Sequence, residues 1–247
     1  MNKLSIALLA LVALLTVPST AKADNIVYGN TNSVGVQAWT GNMAEIFTVN
    51  SPITIVALGA FDNGNATLTD NLQVGIASIS GGVSTPVPSA SYTFLTTGTY
   101  TSAENNVFEP IAPVTLSPGT YEVDVVGFGP SQLMGNDNGC TPSAGWQCVL
   151  TSTGTGATLN SLGGAITFDG NAFDGNTYLD YPNFSTVPNP PNESLLSGTS
   201  SDLNQFGAGT FAVSPEPSSL LLLGTGMLGL AFVAFRKAKT SGLALPS

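Results

Sequence analysis

Tyr121-Glu122-Val123-Asp124-Val125 sets an apolar residue against an acid at every step, and this run decides how the chain folds. A period of two places one residue type on each face of a strand, whereas a helix would scatter the same residues around its axis. Leu72, Val74 and Ile76 repeat the pattern upstream. Working outward, further strands are expected at Glu45 to Val49, Ile53 to Phe61, Ser91 to Leu95, Ala112 to Leu116, Ala165 to Phe168 and Phe206 to Val213, separated by Gly, Pro, Asn and Asp. Helical periodicity is absent from this stretch. Many short strands with frequent turn signals predict a mainly β fold, an antiparallel β-sandwich or jelly roll. Glu122 and Asp124 then read as a solvated outer face behind Tyr121, Val123 and Val125. Ser117-Pro118-Gly119-Thr120 reads as a type II turn joining neighbouring strands, with Pro118 pre-setting φ and Gly119 taking the positive φ. Pro182, Pro188, Pro190 and Pro191 mark an extended loop, after which the chain returns for a last strand. One exported domain, residues 24–213, is therefore expected.

Charge is segregated along the 247 residues. All five cations, Lys3, Lys22, Arg236, Lys237 and Lys239, lie near the two ends, while fourteen of the fifteen acids fall between Asp24 and Ser214. That middle stretch contains no Lys, Arg or His. Without a histidine base or a lysine amine, most nucleophilic mechanisms lack a participant. Nucleic-acid binding lacks the cations that neutralise phosphate, and familiar zinc sites lack their imidazole.

The two ends are apolar. Lys3 is followed by an apolar run from Leu4 to Val17, then Pro18, then Ala21 and Ala23 in a small-x-small pattern. This order predicts a signal peptide over residues 1–23, cut by signal peptidase after Ala23. At the other end, Leu220 to Phe235 is nearly continuous apolar sequence. With Ser218 and Ser219 it would make a helix about 27 Å long, close to one hydrocarbon thickness. Arg236, Lys237 and Lys239 follow as a membrane stop and place that end in the cytoplasm by the positive-inside rule. The precursor is thus expected to be exported through the inner membrane and anchored by a C-terminal transmembrane helix.

Pro215-Glu216-Pro217 stands immediately before that span, where two prolines hold the acid in an extended segment. The order of Pro-Glu-Pro, a Gly-punctuated Leu-rich span and a basic cluster, over residues 214–247, resembles the PEP-CTERM sorting signal recognised by exosortases. The resemblance implies processing by a membrane-embedded cysteine protease that cuts near Pro215, Glu216 and Pro217. It also implies a mature form at the cell surface or outside the cell, in bacteria that make exopolysaccharide. The runs Phe47-Thr48-Val49, Leu58 to Asp62, Val74-Gly75-Ile76 and Leu116 to Tyr121 resemble the β-sandwich ectodomain of such proteins.

Within the exported stretch the candidate chemistry is sparse. Cys140 and Cys148 are the only cysteines, and in an oxidising compartment they are expected to form a disulfide that contributes about 2 to 3 kcal/mol. Glu122 and Asp124 form a carboxylate pair of the kind a glycosidase requires, although the solvated-face reading leaves them no catalytic role. Asp169, Asn171, Asp174 and Asn176, within Phe-Asp-Gly-Asn repeats, offer oxygen ligands suited to calcium, as do Asp62, Asn63, Gly64, Asn65 and Asp70. Asp-Gly and Asn-Gly are also ordinary turn chemistry. The sequence therefore points to a non-catalytic surface or matrix protein that requires no cofactor and associates with polysaccharide. The alternative is a calcium-dependent carbohydrate-binding module using Trp39, Trp146 and tyrosines as stacking surfaces.

Overall fold

Alternating runs bury their apolar faces by pairing edge to edge, and the observed strands are those runs. The computed structural model describes residues 25–136, 147–148, 157–174, 179, 206–214, 224 and 226–231. In chain order the strands are β1 (Tyr28–Gly29), β2 (Gly35–Ala38), β3 (Asn42–Val49), β4 (Ile53–Phe61), β5 (Leu72–Ser80), β6 (Val83–Phe94), β7 (Thr101–Ala103) and β8 (Asn106–Leu116). They continue with β9 (Gly119–Val126), β10 (Met134–Asn136), β11 (Gln147–Cys148), β12 (Thr158–Leu159), β13 (Ile166–Asp174), β14 (Phe206–Gly207) and β15 (Gly209–Val213).

The fold is mainly β, and every strand pairing among the described residues is antiparallel, with no closed barrel. A five-stranded sheet runs β13-β3-β9-β5-β6, and a four-stranded sheet runs β15-β4-β8-β7. A second four-stranded sheet, β11-β2-β10-β14, and the β1-β12 pair complete the set. The first two sheets meet across Phe47 of β3 and Phe211 of β15, whose ring centroids are 5.0 Å apart. Around them Leu58, Phe61, Leu72, Val74, Ile76, Val123 and Val125 are completely buried. Each such side chain contributes about 1.5–3 kcal/mol through removal from water. This layering is consistent with the expected β-sandwich.

Three details depart from the sequence reading. β6 and β8 run further back than Ser91 and Ala112, through Pro86, Pro88 and Pro110. Proline cannot donate to a ladder, so it suggested loop; but β6 is a sheet edge, and β7 pairs only with residues 106–108 of β8, leaving the rest of that side open. The second departure concerns the turn after Leu116. Gly119 has no positive φ and pairs with Val49, so no type II turn forms, and β8 and β9 lie in different sheets. The chain crosses between layers there, and Tyr121 Oη donates to the Ser117 carbonyl at 2.9 Å, a tyrosine-corner arrangement.

The third departure is the outer face of β9. Glu122 and Asp124 were expected in water, and both are fully buried. β9 lies between β3 and β5, which set Ile46 and Ala77 beside Glu122, and Ala44 and Gly75 beside Asp124. Ala44, Ile46 and Ala172 form a separate apolar cluster on this face, with Ile79 against it. Alternation signals one wet face only when that face is uncovered, and around Glu122 and Asp124 this face is buried as well. Both acids have polar or electrostatic partners, as a buried carboxylate requires.

The chain enters and leaves the folded body side by side. Ile26 bridges Ala212, Val27 N–H donates to the Phe211 carbonyl and Val213 N–H to the Asn25 carbonyl, each at 3.1 Å. Ser214 N–H then donates to the Thr54 carbonyl at 2.9 Å, so the ladder extends to the residue preceding Pro215. Further on, residues 226–231 are helical, with Met227, Leu228 and Leu230 exposed. Among the described residues no helix is long and apolar enough to cross a membrane.

Candidate functional site

The two oxygen-rich segments adopt different geometries. Asp62 directly follows β4, and its carboxylate is buried and turned back onto its own loop: Oδ1 accepts from Gly64 N–H at 2.9 Å and Oδ2 from Ala66 N–H at 2.8 Å. Asn63, Gly64 and Ala66 have φ of 56°, 76° and 56°, a left-handed conformation that these hydrogen bonds hold in place. The loop's one buried carboxylate is therefore committed to its backbone. The second segment lies in β13, where a bulge between Phe168 and Gly170 breaks the alternation. Phe168 pairs with Phe47 and Asn171 with Glu45, which sets both on the core side. Asp169 is exposed on the other side and accepts from the Thr48 hydroxyl at 2.7 Å. The bulge thus separates Asp169 from the buried Asn171, two residues expected to share a ligand set. The side chain of Asp174, and Asn176 as a whole, lie outside the described residues. Among those described, no group of three or more acidic, His or Cys side chains could hold a metal ion.

The aromatic candidates are mostly structural. Trp39 is half-buried, packs edge-on against Phe173 at 6.1 Å and donates from Nε1 to the Asn42 carbonyl. Tyr28 is fully buried beneath Phe168 and Phe211, and its hydroxyl has no hydrogen-bond partner among the described residues. Burial, with added repulsion from Glu45 and then Asp169, pushes its pKa well above the usual 10.0. Glu45 sits in the same layer, accepting from Phe206 N–H at 3.3 Å.

A cleft with accessible polar groups lies between the β4–β5 and β9–β10 loops. It has a volume of about 270 Å³ and is lined by Asn63, Asn65, Thr67, Thr69, Ser131, Gln132 and Leu133. Buried Gln132 ties the loops together: its Oε1 accepts from Thr69 N–H at 3.0 Å, and its Nε2 donates to the Phe61 carbonyl at 3.4 Å. The Thr69 hydroxyl also donates to the Ser131 carbonyl. Asn63 Oδ1 accepts from Gly35 N–H at 2.9 Å, which turns its amide N–H groups towards other partners. Of these residues only Asn63 and Asn65 were singled out in the sequence, as calcium candidates. The others carried no signal beyond loop composition, because two separate loops must meet before the cleft exists.

Ala21, Ala23, Cys140, Trp146, Pro215, Glu216, Pro217, Arg236, Lys237 and Lys239 lie outside the described residues. For Cys148 the backbone alone is described, paired with Gln37. Compared with known proteins, residues 215–237 match the family model described as the PEP-CTERM protein-sorting motif. That motif implies an exported protein whose membrane-anchored precursor is processed by an exosortase. No curated protein and no solved structure matches the chain.

Proposed function

We propose, from the premise that this chain carries a PEP-CTERM protein-sorting motif, that it is an exported, non-catalytic surface or matrix protein. Its acidic β-sandwich serves as an adhesive or structural module associated with exopolysaccharide. The observation that carries this reading is the placement of the motif. The last ladder hydrogen bond, from Ser214 to Thr54, falls one residue before the matched segment begins, so the sorting signal follows directly on a finished fold. Removing the signal beyond Pro215 would leave every strand among the described residues untouched.

On this reading residues 1–23 are a signal peptide removed by signal peptidase, and residues 218–235 are the membrane helix. The exposure of Met227, Leu228 and Leu230 suits a lipid-facing segment. The complete burial of Glu122 and Asp124 in the middle of their sheet supports a non-catalytic role, since neither carboxylate lines the cleft. No observation among the described residues favours calcium dependence, because Asp62 is engaged by its own loop and Asp169 is parted from Asn171.

An intact mass of the mature protein, taken from surface and medium fractions, tests the reading. The expected mass begins at Asp24, ends near Pro215 to Pro217 and reports whether Cys140 and Cys148 are joined. A product confined to the cytoplasm with Leu4 to Ala23 still attached would sink it.

A further inference from the structure

We propose that the cleft between the β4–β5 and β9–β10 loops binds a single neutral sugar residue of a polysaccharide. The proposal rests on the export reading only for the source of the sugar. Its chemistry is read from the lining. The Asn65 amide and the Ser131 hydroxyl make no hydrogen bond among the described residues, and Asn63 keeps its amide N–H groups available while its oxygen holds Gly35. The Thr67 hydroxyl, which donates to the Asn65 carbonyl at 3.4 Å, adds an acceptor, and half-buried Leu133 an apolar surface. Amides and hydroxyls that both donate and accept, beside one hydrocarbon patch, match the alternating O–H and C–H surface of a pyranose.

Other ligand classes fit less well. An anion would meet no cation anywhere between Asp24 and Ser214, and the net charge of this stretch repels it. A hard divalent cation would find no free carboxylate in the lining, since the buried Asp62 beneath it is already bonded to Gly64 and Ala66. An extended apolar ligand would find Leu133 alone. The volume of about 270 Å³ lies just below the range of roughly 300–1,000 Å³ typical of small-molecule pockets, which suits one sugar unit.

The site is also built in advance. Asp62 and Gln132 are buried and fix the two loops from below, so little ordering remains to oppose binding. The left-handed backbone at Asn63 and Ala66 fits a loop held for its shape.

Ligand-observed NMR on the full chain, in a detergent without a sugar headgroup, tests the assignment. The probes are cellotriose, maltotriose, mannotriose and trigalacturonate at millimolar concentration. At least one neutral trisaccharide should bind saturably and trigalacturonate should not. The Asn65→Ala/Ser131→Ala variant, altered at two exposed positions, should melt as the parent does and bind about tenfold more weakly. Absence of saturable binding by every neutral probe, equal binding of trigalacturonate, or undiminished binding by a folded double variant overturns the proposal. Binding by a chain that stays cytoplasmic removes the export reading alone, whereas a correctly processed chain that binds no neutral sugar removes the cleft alone.

Discussion

Asp62-Asn63-Gly64-Asn65 and Asp169-Gly170-Asn171 are composed of the same three residue types and do opposite things with them. In the first, the chain has left its sheet, so the buried Asp62 carboxylate replaces strand partners for Gly64 and Ala66 and fixes a left-handed loop. In the second, β3 supplies the partners, and the glycine instead absorbs a bulge, with φ of 146°, that sends Asp169 to water and Asn171 inward. The difference teaches that an Asp/Gly/Asn string specifies its geometry only together with the strand beside it. Where a ladder is available the aspartate is spared, and where none is available it becomes the scaffold.

The comparison breaks most visibly at Asp62. Asp62→Ala removes two charge-assisted backbone hydrogen bonds inside the fold and is expected to cost about 2–3 kcal/mol in urea unfolding. Gly170→Ala is expected to cost about 1–2 kcal/mol, because a side chain is strained at that φ, and to loosen the β13–β3 pairing in hydrogen exchange. Asp169→Ala loses one hydrogen bond at an exposed position and should stay within about 1 kcal/mol of the parent. An Asp169→Ala change as large as that of Asp62→Ala would erase the distinction between the two segments.

Tyr28, beneath the second segment, sharpens it through pH. Its folded pKa is raised, so above about pH 10 the unfolded chain releases a proton that the folded chain retains. The contribution is complete below that value, and stability falls as pH rises from there towards the folded pKa. Tyr28→Phe should therefore be within about 0.5 kcal/mol of the parent at neutral pH and should lose stability less steeply in alkali. The smallest expected effect is that of calcium: millimolar addition should move the melting temperature by less than about 1 °C, since a tightly bound ion would stabilise the folded state by mass action.

Much of the strand framework was legible from alternation alone. β4 occupies the expected Ile53 to Phe61 without adjustment, and the apolar sides of Leu72-Val74-Ile76 and Tyr121-Val123-Val125 are the buried core. Alternation reports relative facing and says nothing of what covers the second face, which is why Glu122 and Asp124 were assigned to water. Proline statistics failed at β6 and β8 for a related reason, since the penalty applies only where a neighbour needs the missing N–H. Of the candidate sites, the sorting motif was readable because it is local and linear. The cleft was not, because Thr69, Ser131 and Gln132 are brought together by contacts more than sixty positions apart along the chain.

The hydrogen bond between Val213 and Asn25 has a mechanical consequence. A tether attached before residue 25 and another attached after residue 214 would pull on the same corner, so tension between them would load this short junction first, at the outermost strand of its sheet. The body would hang like a tag from one eyelet, free to swivel, and losing either cord would leave its weave intact.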